Sequence, residues 1–168
     1  MKKSRRAAFL GIFCALALIL GYLESLIPFN FGVPGMKLGM ANIIIVFALY
    51  FMKPVDAALI NLARIIINGL LFGSVFSIIF SIFGALFSFA VMWPMSRSEK
   101  FSPVGVSAAG GVAHNIGQLV VACFVVGAVQ VVYYIPVLII SGLVTGVVMG
   151  IIAMFVIKNI KRIKFFSI

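Results

Sequence analysis

The chain has 168 residues, 64% of them hydrophobic and 10% charged, with a mean hydropathy of +1.30. A soluble domain is closer to half apolar and a quarter charged, so this composition excludes an ordinary soluble fold and indicates an integral membrane protein. Thirteen basic against three acidic residues give a net charge of +10, which here marks one face of a bilayer rather than a nucleic-acid surface.

The apolar runs are continuous and do not alternate with polar residues, so they read as helical spans and not as barrel strands. No long polar linker divides residues 1–168, and a single transmembrane domain is expected. In chain order, Met1 to Arg6 is a basic head. Span one runs from Ala7 to Ile27; it lacks a convincing cleavage site and is read as a retained helix. A loop broken by Pro28, Gly32, Pro34 and Gly35 follows, with Pro34-Gly35 as its turn. Span two runs from Leu38 to Met52. At ~1.5 Å per residue it barely crosses ~30 Å of hydrocarbon, so it tilts or enters only partway. Span three covers Val55 to Phe72 and span four Val75 to Trp93, hinged at Gly73-Ser74. Ser96 to Pro103 is a polar loop. Span five covers Val104 to Val126, and Gly127 to Val132 is a short connection. Span six covers Tyr133 to Ile157, and a basic tail runs to Ile168.

Six spans put both termini on one side. With that side cytoplasmic, Lys2, Lys3, Arg5, Arg6, Lys53, Arg97, Lys100, Lys158, Lys161, Arg162 and Lys164 all fall inside. Lys37 alone falls in an outer loop and Arg64 alone within a span, a strong positive-inside pattern. Small residues recur every four positions at Ala7, Gly11 and Ala15, at Gly105, Ala109, Ala113 and Gly117, and at Gly142, Gly146 and Gly150. Such stripes let helix backbones approach closely. Internal packing is the default for spans five and six. The stripe on span one, beside the basic head, could instead dock a partner subunit.

Polar residues inside the spans are the candidates for function. Asn61, Arg64 and Asn68 share one face of span three. A mid-membrane arginine costs roughly 2.5–3.5 kcal/mol on insertion scales and must face the bundle interior, water, a partner or a ligand. His114, the only histidine, sits near the middle of span five within the stretch SAAGGVAHNIGQL. Gln118 aligns with His114, while Asn115 lies about 100° round the helix and is expected first as a helix-packing bond. Glu24 ends span one near the outer surface, and Lys37 and Asn42 flank the start of span two. An outward-side pocket is expected, floored by Arg64, His114 and Asn115 and walled by Asn61, Asn68 and Gln118. The Pro34-Gly35 loop and Lys37 would form its lid. Lys37 and Arg64 outweigh Glu24, which favours an anionic small molecule. The plainer alternative is a structural polar network.

Other chemistry lacks its residues. Metal-dependent prenyl-diphosphate synthesis needs clustered carboxylates, whereas Glu24, Asp56 and Glu99 are scattered. There is no Walker A motif and no plausible serine–histidine–carboxylate set. Cys14 and Cys123 lack any ligand-like spacing. No catalytic residue, metal or cofactor is assigned.

The segments GVPGMKLGMANI, LARIIINGLLFGS, SAAGGVAHNIGQL and SGLVTGVVMG resemble a bacterial family labelled heptaprenyl diphosphate synthase component I, also called the Gx transporter family. The resemblance covers roughly Ala7 to Ile157. That family is similar in size and six-helix layout to the S components of energy-coupling factor (ECF) transporters, which work with a membrane coupling subunit and ATPases. The resemblance implies a multi-pass protein of the bacterial cytoplasmic membrane and an all-α six-helix bundle with both termini cytoplasmic. It also implies a docking role for Ala7, Gly11 and Ala15, where Gly11 departs from the strict alanine of the S-component pattern. The family label implies a different role, as noncatalytic membrane partner of a soluble prenyl diphosphate synthase subunit with a prenyl or quinone-related ligand. The candidate functions are therefore an uptake module, a synthase component and a structural membrane protein.

Overall fold

A computed structural model describes residues 3–26, 39–98, 100–126 and 133–162. These form six helices: α1 (Lys3–Leu26), α2 (Asn42–Phe51), α3 (Pro54–Phe72), α4 (Val75–Arg97), α5 (Pro103–Val126) and α6 (Ile135–Arg162). Five are long and apolar enough to cross a membrane, and the exception is α2, with ten residues. The protein is an all-helical, multi-pass membrane bundle.

Three helices extend beyond the sequence reading. The basic head is helical from Lys3, α4 continues past Trp93 to Arg97, and α6 continues past Ile157 to Arg162. Lysine and arginine are good helix formers, so a helix need not stop where the hydrocarbon does. The start of α3 follows local rules: Pro54 occupies its first turn, where a missing N–H costs nothing. Ser74 caps α4 by accepting the Ser77 N–H at 3.2 Å, as expected of an N-cap serine.

Instead of fifteen residues from Leu38, the second helix begins at Asn42. Its length of ten residues corresponds to ~15 Å, about half of a ~30 Å hydrocarbon core. Gly39 explains the late start. Its φ of +79° belongs to the left-handed region that favours glycine, and its carbonyl accepts the Asn42 N–H at 2.9 Å. Residues Ile44 to Leu49 are all buried. They pack with Phe13 and Ala17 of α1, Ala57 and Ile60 of α3, Met92 of α4, Val106 of α5, and Ala153 and Ile157 of α6. A half-length helix thus fills the core at one end of the bundle, and its N-terminus points to mid-depth.

The end filled by α2 is the basic end. Arg6 donates from Nε to Asp56 Oδ1 at 2.9 Å and also through Nη2, which ties the starts of α1 and α3. Arg97 Nη2, at the end of α4, donates to the Met52 carbonyl at 3.4 Å. The start of α1 and the end of α6 therefore lie at the same end.

Helix α5 packs between α4 and α6 through two different small-residue faces. A Cβ at Gly111 would come within 2.3 Å of the Gly142 carbonyl oxygen, and one at Gly146 within 2.7 Å of Ala108 Cα. The α6 stripe of Gly142, Gly146 and Gly150 is thus seated on Val104, Ser107, Ala108 and Gly111. On the α5 stripe, Gly117 faces Phe83 and Phe87 of α4. Adjacent Gly110 and Gly111 lie about 100° apart on the helix, so each serves a different neighbour.

Candidate functional site

The N-terminus of α2 opens onto a small polar cavity. Gly21 and Glu24 of α1, Gly39 and Asn42 at the head of α2, Arg64, Ile65 and Asn68 of α3, Ser81 of α4 and His114 of α5 line it. Its volume is about 20 Å³, room for about one water.

Arg64 organises the cavity. Its Nε donates to Asn61 Oδ1 at 2.8 Å and its Nη2 to Asn42 Oδ1 at 3.0 Å. Both partners are neutral amides, and the carboxylate that shares the cavity with the half-buried guanidinium is Glu24. Glu24, only 7% exposed, accepts the Gly39 N–H through Oε1. Its carboxylate therefore lies at the amino end of a half-length helix, where peptide dipoles favour negative charge. Asn68 is 6% exposed, and its Oδ1 is buried without a hydrogen-bond partner among the described residues. An unmet polar atom of this kind is costly in hydrocarbon.

Close packing places the remaining walls. Gly21 lets Asn68 approach α1, since a Cβ there would meet the Asn68 amide at 2.0 Å. Gly84 makes the niche for His114, whose ring atoms would lie 2.7–2.9 Å from a Cβ. His114 thus reaches the cavity across a groove in α4.

Of the residues expected at the site, the structure brings together Arg64, Asn68, Asn42, Glu24 and His114, with Asn61 directly on Arg64. Gln118 is buried but does not line the cavity. Asn115 is turned to α6, where Nδ2 donates to the Leu138 carbonyl at 2.8 Å and to Ser141 Oγ at 3.2 Å. It is the helix-packing bond first expected of it, and Asn115 does not line the cavity. Lys37 and the Pro34-Gly35 lid lie outside the described residues. Sequence reasoning missed Ser81. Ser81, Gly84 and Ser88 form a small face on α4 at helical spacing, and that was the available signal.

A second concavity was not anticipated. Between α3 and α4 lies an open groove of about 580 Å³, lined chiefly by Ala58, Leu62, Leu86, Phe89, Ala90 and Trp93. Asn61 and Ile65 complete its inner end. Ile65 borders both cavity and groove. On the surface of α1, Ala7, Gly11 and Ala15 are all exposed, and a Cβ at Gly11 would have nothing within 4 Å. Among the described residues, no three His, Cys, Asp or Glu side chains gather as metal ligands.

A profile of the heptaprenyl diphosphate synthase component I family matches residues 13–156. The chain belongs to that family. No curated protein and no solved structure matches it. The family span begins within α1 and ends within α6, so it takes in the cavity, the groove and all of α2.

Proposed function

We propose that this family member is a membrane-embedded binding module that captures a small anionic or isoprenoid-related solute at the Arg64 cavity. In this reading it resembles an ECF S component and depends on partner subunits for energy. The observation that carries the reading is the position of Glu24. Its carboxylate lies at the N-terminus of a half-length helix, in the same cavity as the half-buried Arg64. Discontinuous helices in secondary transporters use the same physics to hold anionic substrate groups near the bilayer midplane. Glu24 acts as a stand-in for the ligand's anionic group, and the Asn42 amide is a replaceable neutral partner for the guanidinium. The cavity is closed, so binding requires Glu24 and the Gly39–Asn42 turn to move aside.

The exposed Ala7, Gly11 and Ala15 stripe supports a partner docking on α1, with a coupling subunit and its ATPases as the proposed partner. Small-molecule mass spectrometry of the purified protein tests the binding reading. An anion retained by the wild type and lost in Arg64→Ala is the expected result. A chain that retains nothing, and in which Arg64→Ala loses only stability, would make the polar cluster a structural network.

A second reading, a noncatalytic membrane component of a heptaprenyl diphosphate synthase, is supported by the family name and by the apolar groove. Its test is prenyl-transfer activity that needs both a soluble catalytic subunit and this chain.

A further inference from the structure

Among the described residues that line the Arg64 cavity, Glu24 is the one carboxylate. The other titratable side chains facing the cavity are Arg64 on α3 and His114 on α5; α2 brings Gly39 and Asn42, and α4 brings Ser81. Arginine stays protonated in proteins. With Glu24 ionised and His114 neutral, the cavity therefore carries no net charge. An anion entering this state adds an uncompensated charge to a closed site with room for about one water, which is costly in surroundings of low dielectric. One proton taken up with the anion restores the balance.

The same cavity holds an unmet acceptor. Asn68 Oδ1 is buried without a hydrogen-bond partner among the described residues. It is a carbonyl oxygen, so a donor satisfies it and an anion does not. An ionised carboxylate only accepts, whereas a protonated carboxyl has an O–H to donate. Glu24 lies one helical turn from Gly21, the residue against which the Asn68 amide is packed, and positions so spaced share a helix face. We infer that Glu24 is a proton-operated latch, so that the cavity takes up its anion together with one proton. Ionised, Glu24 accepts the Gly39 N–H and occupies the amino end of α2. Protonated, it gives up that charge-assisted bond and turns its O–H to Asn68 Oδ1. The Gly39 N–H and Arg64 are then left to the anion. The coupling rests on the anion-binding reading, but the protonation step itself needs no ligand.

The test uses the full-length protein in detergent. Infrared difference spectra are taken across about pH 4 to 8, a range that spans ordinary carboxylate and histidine values. Of the protonated-carboxyl bands that grow in on acidification, one should be lost in Glu24→Gln and should move in frequency in Asn68→Leu, which removes its acceptor. Methanesulfonate, a monoanion that does not titrate in this range, is the probe for binding. Its affinity should rise up to tenfold for each unit by which the pH is lowered, as uptake of one proton requires. Glu24→Gln, the isostere of the protonated acid, should bind as tightly as the wild type does at the acid end and without the slope. His114→Gln should keep the slope. A spectrum in which Glu24→Gln loses no band, or a Glu24 band indifferent to Asn68→Leu, would overturn the latch. So would a slope that survives Glu24→Gln or vanishes in His114→Gln, since the proton would then sit elsewhere. A wild type that binds no methanesulfonate at any pH, with its Glu24 band intact, would overturn the coupling and the anion-binding reading while the latch stands.

Discussion

On one side of α3, Arg64 and Asn68 close on a cavity with room for about one water; on another, Ala58 and Leu62 open onto a groove of about 580 Å³. The difference follows from what each wall demands. Charged and amide groups in hydrocarbon must be satisfied, so they draw partners inward until little space remains. Apolar walls make no such demand and stay open to lipid at little cost. The larger concavity therefore carries no charge within its walls, while the smaller one carries the chemistry.

Five substitutions can break or sharpen this contrast, taken in order of falling effect on stability. Arg64→Ala leaves the Glu24 carboxylate buried without its cation and should cost about 3 kcal/mol in detergent unfolding. Combining it with Glu24→Gln should recover part of that loss; strictly additive costs would deny that the two charges act as a pair. Next, Gly39→Ala forces a Cβ into the left-handed region at the mouth of the cavity. It should cost about 1 kcal/mol, and a melting temperature equal to wild type would show that the turn relaxes freely. Asn115→Ala removes the bond from α5 to the Leu138 carbonyl. It should cost about 0.6 kcal/mol, the average for such interhelical bonds, with no change in retained solute. Loss of solute would return Asn115 to the pocket. Last, Gly11→Leu meets open space and should change stability by less than about 0.5 kcal/mol. It should nonetheless block co-purification with a coupling subunit, and intact assembly would remove the α1 docking face.

Most of the bundle could be read from residues. Apolar runs broken by Gly73-Ser74, Lys53-Pro54 and the polar loop before Pro103 mark real helix boundaries, and the short second run is a half-length helix. Arg64, Asn61 and Asn68 share a face because α3 is regular over that stretch, so helical spacing found them correctly. The same logic failed where one helix has two neighbours. Spacing by four predicts that the small residues of α5 pack internally, but it cannot tell which glycine faces α4 and which faces α6. Ser81 was overlooked because a serine in an apolar helix can also bond its own backbone. The groove left no distinct mark at all. Ala58, Leu62 and Ile65, and Leu86, Phe89 and Trp93, are spaced like any lipid-facing or core stripe; only the separation of α3 from α4 makes them a channel.

The central claim is that Glu24 holds the place of an anionic ligand beside Arg64, and the sign of two charge changes tests it most directly. Wild type, Glu24→Gln and Arg64→Gln can be purified in parallel and their retained anions quantified by mass spectrometry. Glu24→Gln should retain more of the anion than wild type, because it removes the internal competitor, and Arg64→Gln should retain little or none. Equal losses in both variants, or no anion in any of the three, would contradict the claim and leave the pair a structural one.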